Sequence, residues 1–226
     1  MTTLQTLINS CEAHLGDSAN AIWITSDIEQ WCRDAIADYS LHYPQTISQT
    51  HNAAASYEYD LDDGFMDIVS VEYPSGLTEP RFLQWKDRLD DDFYGRDGYY
   101  DIIKKGSAAA NILVTSKLIG VTGEDIITLS LAIHDNTIAS LAALTIPNEH
   151  LHLLRNYVFW QAAVQLKAKE EANPTSNSSL LMSQYAVNSD RSRRAYVDAL
   201  AKAVFATSKS SQISWQDKVN ESSRIY

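Results

Sequence analysis

The spacing of apolar residues changes twice along this chain, and that change restricts the architectures it can adopt. Towards both ends, apolar side chains recur at the helical period, as in amphipathic helices. Between about residues 53 and 146, apolar and polar residues alternate instead, as in half-buried strands. The pattern predicts an α+β fold in which helical segments flank a β-rich insertion.

Several helices are indicated by their ends as well as by their apolar stripes. Gly16 is placed to end the first helix in a left-handed cap. Ser26 and Glu29 have the spacing of a capping box at the start of the second. Pro147 is suited to the first position of the third helix. This helix has two apolar faces, so we expect other elements to pack on more than one of its sides. Together with a fourth helix, the sequence predicts helices near residues 3–15, 26–42, 147–171 and 179–206.

The chain divides by pattern into three parts. Residues 1–51 and 147–206 are predicted to form a helical domain, and residues 52–146 a β-rich insertion with about four to six strands. Residues 207–226 have no helical stripe and are predicted to be an extended arm. The isolated apolar side chains of this arm are Ile213, Trp215, Val219, Ile225 and Tyr226.

Charge is unevenly distributed along the chain, whose net charge is −11. Residues 1–146 are strongly acidic, whereas residues 147–226 carry ten bases against seven acids. This asymmetry favours contact between neighbouring copies or with a partner, although a solubilising surface explains the same charges. The cations are too few for tight wrapping of nucleic acid.

The sequence gives no sign of secretion or of a membrane. The N-terminal segment lacks the basic region of a signal peptide, and no stretch approaches about 18 uncharged apolar residues. The two cysteines, Cys11 and Cys32, lie within apolar helical patterns. They are interpreted as small buried hydrophobic residues, in keeping with a reducing compartment.

Motifs of the common catalytic and cofactor sites are absent from the sequence. It contains no phosphate-binding loop, no dinucleotide-binding glycine motif, no nucleophile elbow and no zinc-protease motif. The acidic residues of segments 60–63 and 90–92 are interpreted as solvated loops rather than metal ligands. His150 and His152, two apart on a helix, are expected to point to different faces. We therefore expect no enzyme activity, no metal and no cofactor.

Two clusters are candidate contact surfaces. Arg191, Arg193 and Arg194 form the one dense basic group, which either contacts an acidic protein or packaged DNA or is a solvated helix face. The aromatic residues of segment 93–100 form a contact surface, a platform that stacks on sugars, or a small satellite core.

Two segments resemble the head–tail adaptor (connector) proteins of tailed bacteriophages. Residues 27–35, with the sequence DIEQWCRDA, look like the second helix of such adaptors, with an acidic and aromatic start and a central Arg-Asp-Ala. Residues 145–162, TIPNEHLHLLRNYVFWQA, are similar to the proline-capped I-P-x-E helix of adaptors. The order of helices, β insertion, helices and polar arm also resembles these proteins over the whole chain.

The resemblance implies a structural protein of the virion, located in the head–tail connector region and made in the host cytoplasm. It implies that the four helices form a four-helix bundle core, which is physically reasonable because four amphipathic helices can bury one core. It also implies a homo-oligomeric ring of about twelve copies under the portal protein. Such a ring binds tail or neck proteins and lets DNA pass without sequence-specific binding.

The resemblance also assigns roles to particular residues. The apolar residues of the arm, from Ile213 to Tyr226, would dock on the portal or on a neighbouring copy. The arginine cluster at 191–194 would lie between subunits or face DNA.

Two other functions are compatible with the sequence. The first is a different neck, tail-completion or host-contact component. The second is a carbohydrate-binding module or small hydrolase that uses Asp and Tyr residues of the insertion. In that second case, Tyr99 and Trp85 are expected to contribute to glycan affinity.

Overall fold

The computed structural model describes residues 2–17, 19, 22–52, 55–62, 64–94, 96–104, 111–119, 124–174 and 176–222, with side chains inside the last helix described up to residue 203. The chain forms two compact units. The helical unit comprises Met1–Tyr43 and Asp135–Tyr226, and the sheet unit comprises Pro44–His134.

Four α-helices make up most of the helical unit. They are α1 (Leu4–Leu15), α2 (Thr25–His42), α3 (Leu151–Ala172) and α4 (Ser178–Ser222). A single 3-10 turn, Asn148–His150, follows Pro147 and leads directly into α3.

The end of α1 confirms the predicted glycine cap. Gly16 has a φ of 69°, and its N–H donates to the carbonyl of Ala13 at 3.3 Å. The next N–H, from Asp17, donates to Glu12 at 3.1 Å, so two carbonyls at the helix end are satisfied. A side chain at position 16 would be strained because L-residues rarely adopt this backbone conformation.

The capping box predicted for α2 does not form. The helix begins one residue earlier than expected, at Thr25, and no side chain caps its first turn. Glu29 instead pairs with Arg33, one turn along the helix, at 2.6 Å. The Glu29 carboxylate, which a capping box requires at the start of the helix, is therefore bound to the guanidinium of Arg33.

The predicted four-helix bundle core is wrong, although the α+β class is right. The helix α3 lies at the centre of the helical unit, and α1, α2 and α4 each pack on it. The lengths are too unequal for a bundle, since α1 has 12 residues and α4 has 45. The core is completed by Leu144 and Ile146, which come from the non-helical segment before α3.

The predicted extended arm is also wrong, because α4 continues as a helix to Ser222. No glycine or proline interrupts residues 178–222. Extending an existing helix by one residue costs much less free energy than nucleating a new helix. The helix can therefore continue through residues that lack an apolar stripe. At about 1.5 Å per residue, α4 is roughly 67 Å long, and α3 is about half that.

The sheet unit contains seven strands within its described residues. They are β1 (Gln45–His51), β2 (Ser56–Asp60), β3 (Phe65–Glu72), β4 (Gln84–Trp85), β5 (Tyr99–Ile103), β6 (Ile112–Ile119) and β7 (Ile126–Ala132). One sheet has the order β1-β7-β3, and the other has the order β2-β6-β5-β4. The pair β4 and β5 is parallel, whereas the remaining pairs are antiparallel.

The main core of this unit combines side chains of both sheets. Val71 and Ile126 come from the three-stranded sheet, whereas Tyr100 and Leu113 come from the four-stranded one. Five consecutive residues at the start of β6 are buried because both of its faces are covered. Phe93, fully buried, covers the second face.

Candidate functional site

The surface that α4 turns away from α3 is the candidate functional site. The two helices run antiparallel: the Ser178 hydroxyl donates to Glu170 at 2.5 Å, and further along the rings of Tyr196 and Tyr157 lie 5.5 Å apart. Residues that are buried or half-buried recur along α4 at helical spacing, so one face packs on α3. The opposite face is available for contact along the described part of the helix.

We call this opposite surface the outward face of α4, defined by Leu180, Val187, Arg191 and Arg194. These residues are three, four or seven apart, so they lie along one side of the helix. On this face, Leu180 is 62% exposed and Val187 is 66% exposed. The face therefore combines apolar and cationic groups.

The three arginines of the basic cluster do not share one face of α4. The guanidinium of Arg193 lies over the ring of Trp160 in α3, with its carbon 5.8 Å from the ring centre. The guanidinium of Arg194 lies 3.4 Å from the Asp190 carboxylate. Arg191 is exposed, on the outward face. The cluster thus contributes two cations to the outward face and one to the packing of α3 on α4.

Two acidic residues near the start of the chain are hydrogen bonded within the helical unit. The carboxylate of Asp17 is buried and accepts N–H groups from Ile22 and Trp23 at 2.8 to 3.1 Å. Asp38 accepts a hydrogen bond from the Tyr196 hydroxyl. These two carboxylates are therefore engaged within the helical unit.

A second group of polar residues lies at the start of α3. His150 and His152 both line an open cavity of about 600 Å³, together with Asp198 and Lys202 of α4. His150 belongs to the 3-10 turn rather than to α3. The Nδ1 atom of His152 is hydrogen bonded to the carbonyl of Glu149 at 2.7 Å. The expectation that the two histidines point to different faces stays a prediction.

The first of these histidines also bonds to a tyrosine of α2. The Tyr39 hydroxyl and His150 Nδ1 are hydrogen bonded at 2.7 Å, and the ring of Tyr43 stacks on Tyr39 at 5.2 Å. Burial, with Tyr43 and Glu149 nearby, raises the pKa of Tyr39 to about 12. This hydroxyl is therefore protonated throughout the neutral range.

The cysteines lie together in the core of the helical unit. Both Cys11 and Cys32 are fully buried free thiols. A hydrogen bond with Cys11, together with burial, raises the pKa of Cys32. Their interpretation as small buried residues is confirmed, and the raised pKa makes the thiol of Cys32 a poor nucleophile.

The acidic runs do not assemble into a cluster. Among the described residues, no group of three or more His, Cys, Asp or Glu side chains is placed to hold a metal ion. In the run 90–92, Asp92 hydrogen bonds to Lys86 and lies near Arg96, and this pairing lowers the pKa of Asp92. Asp63 lies outside the described residues.

The aromatic segment 93–100 is divided between core and surface. Phe93 is fully buried in a small satellite core with Ile112 and Val114. Tyr100 is buried between the two sheets, and Tyr94 is 57% exposed. The segment is therefore not one continuous contact surface.

The residues predicted to dock on the portal lie at the end of α4 or beyond it. Ile213, Trp215 and Val219 are on the helical backbone, in the part for which side chains are not described. Ile225 and Tyr226 lie outside the described residues. Because Ile213, Trp215 and Val219 lie in a helix, they are not part of an extended arm as the sequence predicted.

No protein-family model matches the sequence, and no curated protein sequence matches it. None of the helices in the described residues is both long and apolar enough to cross a bilayer.

Proposed function

We propose that this protein is a head–tail adaptor of a tailed bacteriophage. In this proposal, copies of the chain form a ring under the portal protein and provide the attachment surface for the tail or for neck proteins. The long helix α4 makes the contacts between copies or with the portal. The protein acts by assembly and not by catalysis.

The first support for this proposal is that the two adaptor-like segments pack against each other in one core. Residues 27–35 lie in α2, and residues 145–162 run through the 3-10 turn into α3. Ile28 and Trp31 from the first segment share one buried core with Leu154 and Val158 from the second. The residues that carry the resemblance therefore stabilise one another rather than two unrelated regions.

Arg33, at the centre of the first segment, has a specific structural role. Its guanidinium donates to the carbonyls of Asn136 at 2.6 Å and Ile138 at 3.2 Å while it pairs with Glu29. It thereby attaches the segment that follows the sheet unit to α2. This arginine supports an arrangement in which an insertion separates α2 from α3.

The observation that carries the proposal is the outward face of α4. This face exposes Leu180 and Val187 beside two arginines along a helix much longer than the helix that covers its other side. A helix face that combines exposed apolar and charged side chains is suited to binding another protein. An assembly protein needs such a surface, whereas an isolated monomer gains nothing from it.

The experiment is to measure the mass of the purified chain, alone and with the portal protein of the same phage, by mass photometry. We expect a ring, or a monomer that joins a ring only on the portal. Arg191→Glu reverses a charge on the outward face and is expected to weaken portal-dependent assembly by about tenfold or more.

The matched control is Lys167→Glu, which reverses an exposed charge on α3. Lys167 pairs only with Glu171, one turn along its own helix, at 3.5 Å among the described contacts. The control is expected to assemble like the unmodified chain. A chain that stays monomeric with its portal, or equal effects of the two substitutions, would contradict the proposal.

A further inference from the structure

A cavity in the sheet unit lies where one segment connects the two sheets. Residues 81–86 bond to β3 on one side, where the N–H of Leu83 donates to the carbonyl of Val71 at 2.8 Å. Just after β3, the N–H of Tyr73 donates to the carbonyl of Arg81 at 2.9 Å. On the other side, Lys86 donates its N–H to the carbonyl of Tyr100 in β5 at 2.9 Å. Because hydrogen bonds to both sheets fix the backbone of this segment, the side chains that it presents to the cavity are held in place.

The cavity has a volume of about 410 Å³. This value falls within the range of roughly 300–1,000 Å³ that is usual for small-molecule sites. Three aromatic rings line it, those of Tyr73, Phe82 and Tyr99. Phe82 is 59% exposed, so much of its ring is accessible to a ligand.

The charged groups of the cavity are balanced. Its lining has two cations, Arg81 and Lys117, and two anions, Asp97 and Glu124. Lys117 pairs with Asp97 at 3.1 Å, and the Tyr73 hydroxyl donates to Glu124 at 2.7 Å. The cavity thus offers both hydrogen-bond donors and acceptors, and its lining has no net charge that would favour a charged ligand.

The hydroxyl of Tyr73 remains a donor over a wide pH range. Burial, with the hydrogen bond to Glu124, raises its pKa to about 12. On the far side of the cavity, the N–H of Tyr99 donates to the Ser116 hydroxyl at 3.1 Å, which attaches β5 to β6. The polar groups are therefore held by hydrogen bonds before any ligand arrives.

We propose that this cavity binds a neutral saccharide unit. A sugar hydroxyl both donates and accepts hydrogen bonds, so it can use carboxylates and cations in the same site. The apolar C–H face of a sugar ring packs on an aromatic ring. The exposed ring of Phe82 offers such a face, whereas the ammonium of Lys86 already lies over the ring of Tyr99, 4.9 Å from its centre. A strongly charged ligand would instead meet one repulsive group for each attractive one.

The test is saturation-transfer NMR on the full chain with a panel of methyl glycosides and short neutral oligosaccharides. The glycosides test binding of a single sugar, and the oligosaccharides test binding of a glycan chain. We expect at least one member to bind with a dissociation constant on the order of 1 mM or tighter. Phe82→Ala removes an accessible ring of the cavity and is expected to weaken that binding about five- to tenfold.

Trp85→Ala is the matched control. Trp85 lies on the same segment and is 64% exposed, but it is not part of the cavity lining. The sequence suggested Trp85 as a glycan contact, but it lies outside this cavity, so its substitution is expected to leave saccharide affinity unchanged. Melting curves check that both variants are folded. No binding by any member of the panel, or equal losses in the two variants, would overturn the proposal. Neither result bears on ring assembly, which this inference does not require.

Discussion

At the scale of single residues, Tyr39 shows how burial couples ionisation to stability. Its hydroxyl bonds to His150, and its ring packs beside Tyr43, near Glu149. A tyrosine in an unfolded chain ionises near pH 10, whereas the pKa of Tyr39 in the fold is raised to about 12. The unfolded chain therefore loses its proton first, and the free energy of unfolding falls as the pH rises through this window.

The prediction concerns the variant Tyr39→Phe. Its free energy of unfolding is expected to fall less steeply between pH 10 and 12 than that of the unmodified chain, because one of the tyrosines with a raised pKa is gone. Urea unfolding at a series of pH values measures this slope. Tyr57→Phe, at a position 41% exposed, is the control. An unchanged slope in Tyr39→Phe would show that burial of this hydroxyl does not matter.

At the scale of elements, α4 is where sequence pattern and structure differ most. The residues after 206 lack an apolar stripe, yet their backbone continues the helix to Ser222. Pairing with α3 extends at least to the neighbourhood of His152 and Lys202, so the rest of α4 runs past the start of α3. A helix that projects in this way is a means of reaching another molecule.

Deletion of residues 208–226 tests this part of α4. The helical circular dichroism signal at 222 nm is expected to decrease, because residues 208–222 are helical. The melting temperature is expected to change little, because the core of the helical unit lies before this region. Portal docking is expected to be lost under the proposed function. An unchanged helical signal would instead favour the extended arm, and a collapse of the melting transition would show that the segment stabilises the fold.

At the scale of the whole molecule, the two units have separate cores. Leu154 belongs to the core of the helical unit, and Leu113 belongs to the core between the sheets. Both side chains are fully buried. Removing a buried leucine side chain costs about 2–5 kcal/mol, because it leaves a cavity as well as losing apolar contact.

Calorimetry of Leu154→Ala and Leu113→Ala tests whether the units unfold independently. We expect two transitions in the unmodified chain, and each substitution is expected to lower only the transition of its own unit. Each variant is the control for the other. If both substitutions lowered one common transition equally, the two units would unfold as a single cooperative body.

The local sequence pattern was sufficient to predict those features whose physical cause lies within a few residues along the chain. The Gly16 cap follows from one residue that tolerates a left-handed backbone. The strands β3, β6 and β7 follow from runs of apolar residues between turn signals. The burial of Cys11 and Cys32 follows from their positions on helix stripes.

Tertiary structure decided what depends on distant partners. The polar strand β1 pairs with β7 along its whole length, and local pattern could not show this because its partner lies about eighty residues away. The cavity beside Phe82 gathers residues from 73 to 124, so no short motif could mark it. The arginine cluster was located by pattern alone, and only the tertiary structure showed that Arg193 contacts Trp160 of α3. Helical spacing likewise showed which side chains share a side of α4, and only packing on α3 settled which side remains exposed.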